Sequence, residues 1–485
     1  MFVSVENMIF NGVDLAEYFN ENGKSYFVVN DVRGRGIMSS ELDLIKTPGM
    51  PGGHLSDETI PERILEVDIS LKGNSYPDLR KKVDALSAIL KKKDVAPIVF
   101  ADETDKTYYG KLGNVSDRLE KSCIYQTTLF FVCPDPCKYG AEKYIEFTDI
   151  TNLDVEGSEE TYPNIKVEVA KDTTFLAVSD GESINMIGNP AQVTQQPFIR
   201  EERKFWHEMG TLVGWADTTS VEEGKNLGTM KTSGRSFFTD AYGSDPGWHG
   251  PAKKTSIGST IQDFQVDALI RQQGSTGQVG SIEIALLDAS NKFVCKMLMT
   301  KRSAGSVANW ARLRAGTVLS GYDIINTRGS YDSTWANFNG MVRLSRIGNV
   351  WTAYVCLIDS KGVQHTRAGA TWRDSVGIAT APIAQVQVQL WQYGTTPATN
   401  QNIDDIKVYK INNAADNQIP YVARAGDLIE FDHVKAKILR NGEVINKEKV
   451  FIGDYFALQP GGNVLAVEPA DAIEKTGVRW REKWL

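Results

Sequence analysis

Ile64-Leu-Glu-Val-Asp-Ile-Ser-Leu71, then Lys72-Gly-Asn74, then Ser75-Tyr-Pro-Asp-Leu-Arg-Lys-Lys-Val-Asp-Ala-Leu-Ser-Ala-Ile-Leu90: along this stretch the apolar period changes from two to about 3.6. In the first run Leu65, Val67, Ile69 and Leu71 share one face, and Ile64, Glu66, Asp68 and Ser70 share the other. That is a strand with one side in a core. In the last run Leu79, Val83, Leu86 and Leu90 are spaced by four, three and four, which makes one apolar stripe on a helix. Ser75 followed by Asp78 fits a capping box, and Pro77 lacks an N–H that the first turn would leave unpaired. Lys91 to Lys93 follow at the end where the helix dipole favours positive charge.

Strand signals surround this pair. Phe27-Val-Val-Asn-Asp-Val32 precedes it, and Pro97-Ile-Val-Phe100, Thr107-Tyr-Tyr-Gly-Lys-Leu112 and Ile124-Tyr-Gln-Thr-Thr-Leu-Phe-Phe-Val132 follow. The last is stopped by Cys-Pro-Asp-Pro, because proline has no N–H for the ladder. Thr47-Pro-Gly-Met-Pro-Gly-Gly53, between strands, is too rich in turn residues for regular structure and predicts a projecting hairpin arm. The chain is therefore expected to be mainly β, with residues 1–140 forming a β-sandwich that carries one helix and an arm.

Beyond residue 144 only short strands are signalled. Pro163-Asn-Ile-Lys-Val-Glu-Val169 and Thr174-Phe-Leu-Ala-Val-Ser179 suit an antiparallel pair, and the polar run Gln192 to Lys204 reads as a linker. The block 205–412 has its own composition, with eight of the ten tryptophans and many Gly, Ser and Thr. Short strands resume from Ile419, with an Asn441-Gly442 turn. That last stretch of about seventy residues is small for an independent domain, and 144–200 is smaller still. The economical division is one β-domain split into 141–203 and 413–485, with 204–412 inserted into one of its loops.

Within the insert, Ile261-Gln-Asp-Phe-Gln-Val-Asp-Ala-Leu-Ile270 alternates cleanly. Ser281–Leu287 with Phe293–Leu298, and Met341–Ile347 with Val350–Val355, read as hairpins, and Gly-rich turns between many strands suit a jelly roll. In Ala384-Gln-Val-Gln-Val-Gln-Leu-Trp-Gln-Tyr393, Val386, Val388 and Leu390 fall on one face, while Gln387, Gln389, Trp391 and Tyr393 fall on the other. Amides beside flat rings suit saccharide recognition, the rings covering sugar C–H faces and the amides bonding hydroxyls. Arg343 and Ser345 give a similar polar face on a neighbouring strand. The competing reading packs Trp391 under a loop or at the seam with the parent domain. Trp248, Trp310, Trp335 and Trp372 fall in expected loops.

Composition narrows the function classes. With 485 residues, 41% hydrophobic and 24% charged, the chain is a multidomain globular protein. A net charge of -8 and only short basic runs argue against a nucleic-acid partner. No run of about 18 apolar residues suits a membrane span. The start, Met1-Phe-Val-Ser-Val-Glu-Asn7, lacks the features of a cleaved signal, so folding in a reducing cytoplasm is expected. The five cysteines are scattered, and Cys133-Pro-Asp-Pro-Cys137 has no second Cys/His pair for zinc, which favours a reduced surface loop. Catalysis is not expected. Glu66-Val-Asp68 comes near the paired carboxylates of a glycan hydrolase, but Ser70 or Leu71 stands where the second glutamate belongs, Glu283 is isolated, and no nucleophile or phosphate-loop motif occurs. No cofactor is expected, although Asp404 or Asp405 could hold a structural calcium.

The order of these features resembles the distal tail (Dit) family of long-tailed phages. The resemblance rests on Asn11-Gly12-Val13-Asp14-Leu15, the Arg33-Gly-Arg-Gly36 turn, the arm at 47–53, the strand at 64–71 and the helix opening Ser75-Tyr-Pro-Asp-Leu-Arg80. It continues in Tyr162-Pro-Asn-Ile-Lys-Val167, Phe175-Leu-Ala-Val178, Ile184-Asn-Met-Ile-Gly188 and Pro460-Gly-Gly-Asn463, which are similar to that family's galectin-like C-terminal domain. The resemblance implies a homohexameric ring at the tail tip of a virion assembled in the host cytoplasm. The ring would lie between the major tail tube protein and the tail-associated tip protein. Larger members carry inserted carbohydrate-binding modules, so the insert is expected to meet a host cell-wall saccharide. The alternatives are a carbohydrate-binding protein unrelated to phage, and a purely structural tail protein with a decorative insert.

Overall fold

The computed structural model describes residues 7–485 except 22–23, 50, 117–118, 219–220 and 452. The opening residues 1–6 and Met50 of the arm lie outside the described residues. The strand Arg63–Lys72 runs between Phe27–Arg33 and Ile124–Cys133, antiparallel to both. Leu65, Val67, Ile69 and Leu71 all point into the core, as the period of two requires. The helix Tyr76–Leu90 follows, and its stripe covers that core with Leu79, Leu86, Ile89 and Leu90 buried and Val83 packed at the edge. Its cap is reciprocal: the Asp78 N–H donates to Ser75 Oγ at 3.3 Å, and the Asn74 N–H donates to Asp78 Oδ2 at 2.8 Å. Among the described residues Glu41–Ile45 and His54–Thr59 pair only with each other and project as an arm whose two strands are exposed throughout.

The strand Lys138–Phe147 leaves this first core, touching it through Thr107 opposite Tyr139, and then pairs with the C-terminal strand Ile473–Trp484. The C-terminal strand also pairs with Asn164–Val169, which in turn pairs with Leu428–Asp432. A second sheet joins Ile150–Val155, Gly461–Glu468, Phe175–Ser179 and Ile184–Gly188. Strands from both sides of the insert thus enclose one core, which includes Ile165, Val178, Phe431, Leu458 and Trp480.

The chain leaves and re-enters this body side by side, Gln196–Phe198 lying parallel to Gln418–Pro420. The polar run expected to be a linker is partly strand: Glu201–His207 pairs with Asn400–Ile411 at the margin of an eight-stranded sheet. Its polarity reflects an edge strand, one side wet, and Phe205 packs against the core. The eight-stranded sheet faces a nine-stranded one, and the core between them holds Phe264, Val266, Val342, Trp351, Val386, Val388 and Leu390. This is a two-layer antiparallel sandwich. Both expected hairpins form, through turns at 288–292 and 348–349. Of the tryptophans assigned to loops, Trp248, Trp310 and Trp372 stand in strands instead, whereas Trp335 lies buried in a turn region.

Candidate functional site

The strand Ile383–Tyr393 is central in the nine-stranded sheet, between Ala252–Ile261 and Gly280–Leu287. Its alternation is as read: Val386, Val388 and Leu390 enter the sandwich core, and Gln387, Gln389, Trp391 and Tyr393 project from the outer face. That outer face is roofed. A strap, described over residues 216–218 and 221–226, lies on it, with Ala216–Asp217 beside Lys253–Lys254 and Lys225–Asn226 beside His249–Gly250. Gln387 and Gln389 have no exposed surface and Trp391 has 2%. A Cβ at Gly224 of the strap would stand 3.1 Å from Trp391 Cζ3, so the backbone lies directly on the indole. The expectation that these three residues meet a sugar is therefore corrected: the polar face exists, and most of it is closed within the protein.

An ionic cluster joins strap to sheet. Lys296 Nζ, fully buried, lies 3.0 Å from Glu222 Oε2, 2.9 Å from Glu223 Oε2 and 3.8 Å from Glu283 Oε1. Arg312 reaches Glu223 at 3.6 Å and Asp323 at 3.0 Å, and Arg314 reaches Asp323 at 2.6 Å. The Gln389 amide donates to Glu283 at 3.4 Å. Burial pushes the Glu283 carboxyl up to about 7, only partly opposed by Lys296. For Lys296 burial acts to lower the pKa, but the carboxylates around it prevail and hold it above its ordinary value. On its own strand the same-face neighbours of Glu283 are Ser281 and Ala285, and the carboxylates near it, Glu222 and Glu223, are both engaged by Lys296. The weak signals for this cluster in the sequence are Glu222-Glu223-Gly224 and a lysine inside the apolar run Phe293–Lys301.

Arg343 is not part of this face. Its strand, Asn337–Ile347, belongs to the opposite sheet, so the sandwich core separates it from Gln387 and Gln389. It projects toward the split domain and grips two carboxylates: Asp267 at 2.7 Å through both Nε and Nη2, and Glu443 at 2.6 and 3.0 Å. Burial would lower its pKa, but these two partners hold it well above the ordinary value. Arg343 is thus a clasp between insert and split domain, at the wall of a crevice of about 1410 Å³ that also exposes Tyr354, Tyr409 and Tyr421.

A bulge between Ile403 and Asp405, both neighbours Ile403 and Ile406 being in the core, leaves Asp404 and Asp405 on the outer side of the sheet with their oxygens engaged. Asp404 binds Arg271 at 2.7 Å and Ser236, and Asp405 accepts from Trp206 Nε1 at 2.6 Å and pairs with Lys407. Asp68, the other carboxylate considered, accepts from Thr128 and lies 3.3 Å from Arg33.

With this geometry in view, two stretches match known families. Residues 15–133 match the phage tail protein RIFT-related domain, and residues 390–484 match the siphovirus-type tail component, C-terminal domain. The distal tail protein of Bacillus phage SPP1 is 34% identical over 184 residues, covering 37% of this chain and 70% of that protein. The chain belongs to the siphophage distal tail protein family. It is a component of the phage tail. The solved structure of the SPP1 Dit protein aligns at 30% identity over 38% of this chain and 75% of its own, with a TM-score of 0.34. The CBM2 module of the evolved Dit of Lactobacillus casei BL23 phage J-1 aligns at 14% identity over 44% of this chain and 98% of its own, with a TM-score of 0.39.

Proposed function

We propose that this distal tail protein is a non-catalytic ring hub of the tail tip, with an insert that contacts a host cell-surface saccharide during adsorption. In this reading residues 1–140 form the homohexameric ring between tail tube and tip protein. Residues 141–203 and 413–485 form one split domain, and 204–412 form the adsorption module. The observation that carries the ring is the arm: Leu42, Leu44, Ile45 and Leu55 are each about half exposed on a hairpin that no other strand covers among the described residues. Apolar surface of this kind on a strand edge calls for a partner, and a second copy of the chain supplies one at every position of a ring. Native mass measurement tests this. A hexamer is expected, weakened by Leu44→Asp with Leu55→Asp, and a strict monomer across micromolar concentrations in the wild type would refute the ring.

The saccharide part rests on the insert as a separate sandwich whose outer face pairs rings with polar groups. Repetition around a ring would let weak sites act together. The burial of Gln387, Gln389 and Trp391 favours the competing reading, a structural tail protein with a decorative insert. Binding of the full chain to bacterial surface glycans separates the two.

A further inference from the structure

At one end of the polar face the sheet register places aromatic rings, of which Tyr393 is exposed and Trp248 and Trp310 are half-buried. Trp391, Ser281, Thr300 and Trp310 stand in one line across four adjacent strands. Beyond Trp391 on the same face, Tyr393 pairs in register with Trp248. Those two rings meet edge to face with centroids 5.3 Å apart, and Tyr393 is 47% exposed. At the other flank Trp310 is half-buried, and the Arg302 guanidinium lies over its ring, 4.7 Å from the centroid. Three strand spacings separate the flanks, about 14 Å. Between them lie Ser281 and Thr300, both buried, with their hydroxyls bonded to each other at 2.6 Å.

Tyr331 is more exposed still, at 75%, but it stands alone in a turn with no ring beside it among the described residues, and two other exposed ring sites of the insert are less available. Tyr322 and Trp372 stack on each other at 4.7 Å and 13°, so each covers a face of its partner. Trp206 carries two cations, Arg203 at 4.4 Å and Lys407 at 5.4 Å from its ring, against the single Arg302 at Trp310, and its Nε1 is already bonded to Asp405. Tyr393 and Trp248 have no cation over them among the described residues. Arg302 is exposed and forms no ion pair among the described residues, its hydrogen bond being the long one to Asn326 at 3.3 Å. Its donors are left for hydroxyl or acidic groups of a ligand lying on Trp310.

We propose that this end of the face is the saccharide-contact surface, with Tyr393 and Trp248 as one platform and Trp310 braced by Arg302 as the other, spanned by a short segment of polysaccharide. The proposal rests on the adsorption reading above and moves the contact from the strap-covered amides to these rings. Trp391 then stands beside the platform, covered by the strap at Gly224.

The test uses the full chain on an array of bacterial surface oligosaccharides, followed by titration of the glycan retained most strongly. Tyr393→Ala and Trp310→Ala should each weaken binding roughly tenfold, whereas Tyr322→Ala, at the stacked pair, should leave it unchanged. Tyr393→Ala removes an exposed ring, so its thermal unfolding should match the wild type even if Trp310→Ala disturbs packing. Glycan binding that survives Tyr393→Ala and Trp310→Ala at wild-type affinity would overturn this site and leave the adsorption reading intact. A wild-type protein that binds no glycan on the array overturns both.

Discussion

Glu283→Gln should stabilise the insert strongly at pH 8 and only slightly at pH 5. Glu283 is 2% exposed, and its nearest cation, Lys296, is shared with Glu222 and Glu223, with Arg312 beyond. Its carboxyl titrates at about 7 in the fold against an ordinary 4.5. A carboxyl whose pKa is raised on folding holds its proton more tightly in the folded state. Its contribution to stability is therefore whole below about 4.5, falls as the pH rises to about 7, and is level above that. The gap between 4.5 and about 7, at about 1.4 kcal/mol per pH unit, amounts to about 3 kcal/mol at pH 8. Glutamine keeps an acceptor for the Gln389 amide and cannot ionise. Eight of the ten tryptophans lie in 205–412, so urea unfolding followed by tryptophan fluorescence reports mainly on the insert. Asp405 and Glu448 are also raised by burial, so the difference between variant and wild type is diagnostic and the raw pH curve is not. A gain of equal size at both pH values, or a loss at pH 8, would refute the argument.

Two further outcomes follow from local geometry. Ser75→Ala removes the acceptor for the Asp78 N–H and should cost the first core about 1 kcal/mol, read by urea unfolding followed by circular dichroism. Glu443→Gln weakens the clasp while leaving Arg343 paired with Asp267. Because Glu443 is about a third exposed, the stability change should stay below about 1 kcal/mol. The insert should nevertheless swing on its paired stems at 196–198 and 418–420, raising the radius of gyration in small-angle scattering. An unchanged scattering profile would show that the clasp does not set the orientation.

What the sequence determined by itself is everything that depends on neighbours along the chain. The strand at 64–71 and the capped helix at 76–90 are legible because period and cap involve residues a few positions apart, and the structure has both. The same holds for the hairpin turns at 288–292 and 348–349, and for the alternation of Ile383–Tyr393, whose inward and outward residues are those read from the sequence.

Only the tertiary structure decided what lies against each face. Alternation says that Gln387 and Trp391 project from one side of a strand, but not whether water, sugar or protein is there. The strap that covers them comes from a distant part of the chain and is held by Lys296, whose ion pairs no period signals. Arg343 shows the same limit. Its polar alternation resembles that of Gln387 and Gln389, yet its strand pairs into the other sheet, and the core stands between them. Sheet partnership is a long-range choice made by packing and charge over the whole fold, so side-chain direction could be read from the sequence and accessibility could not.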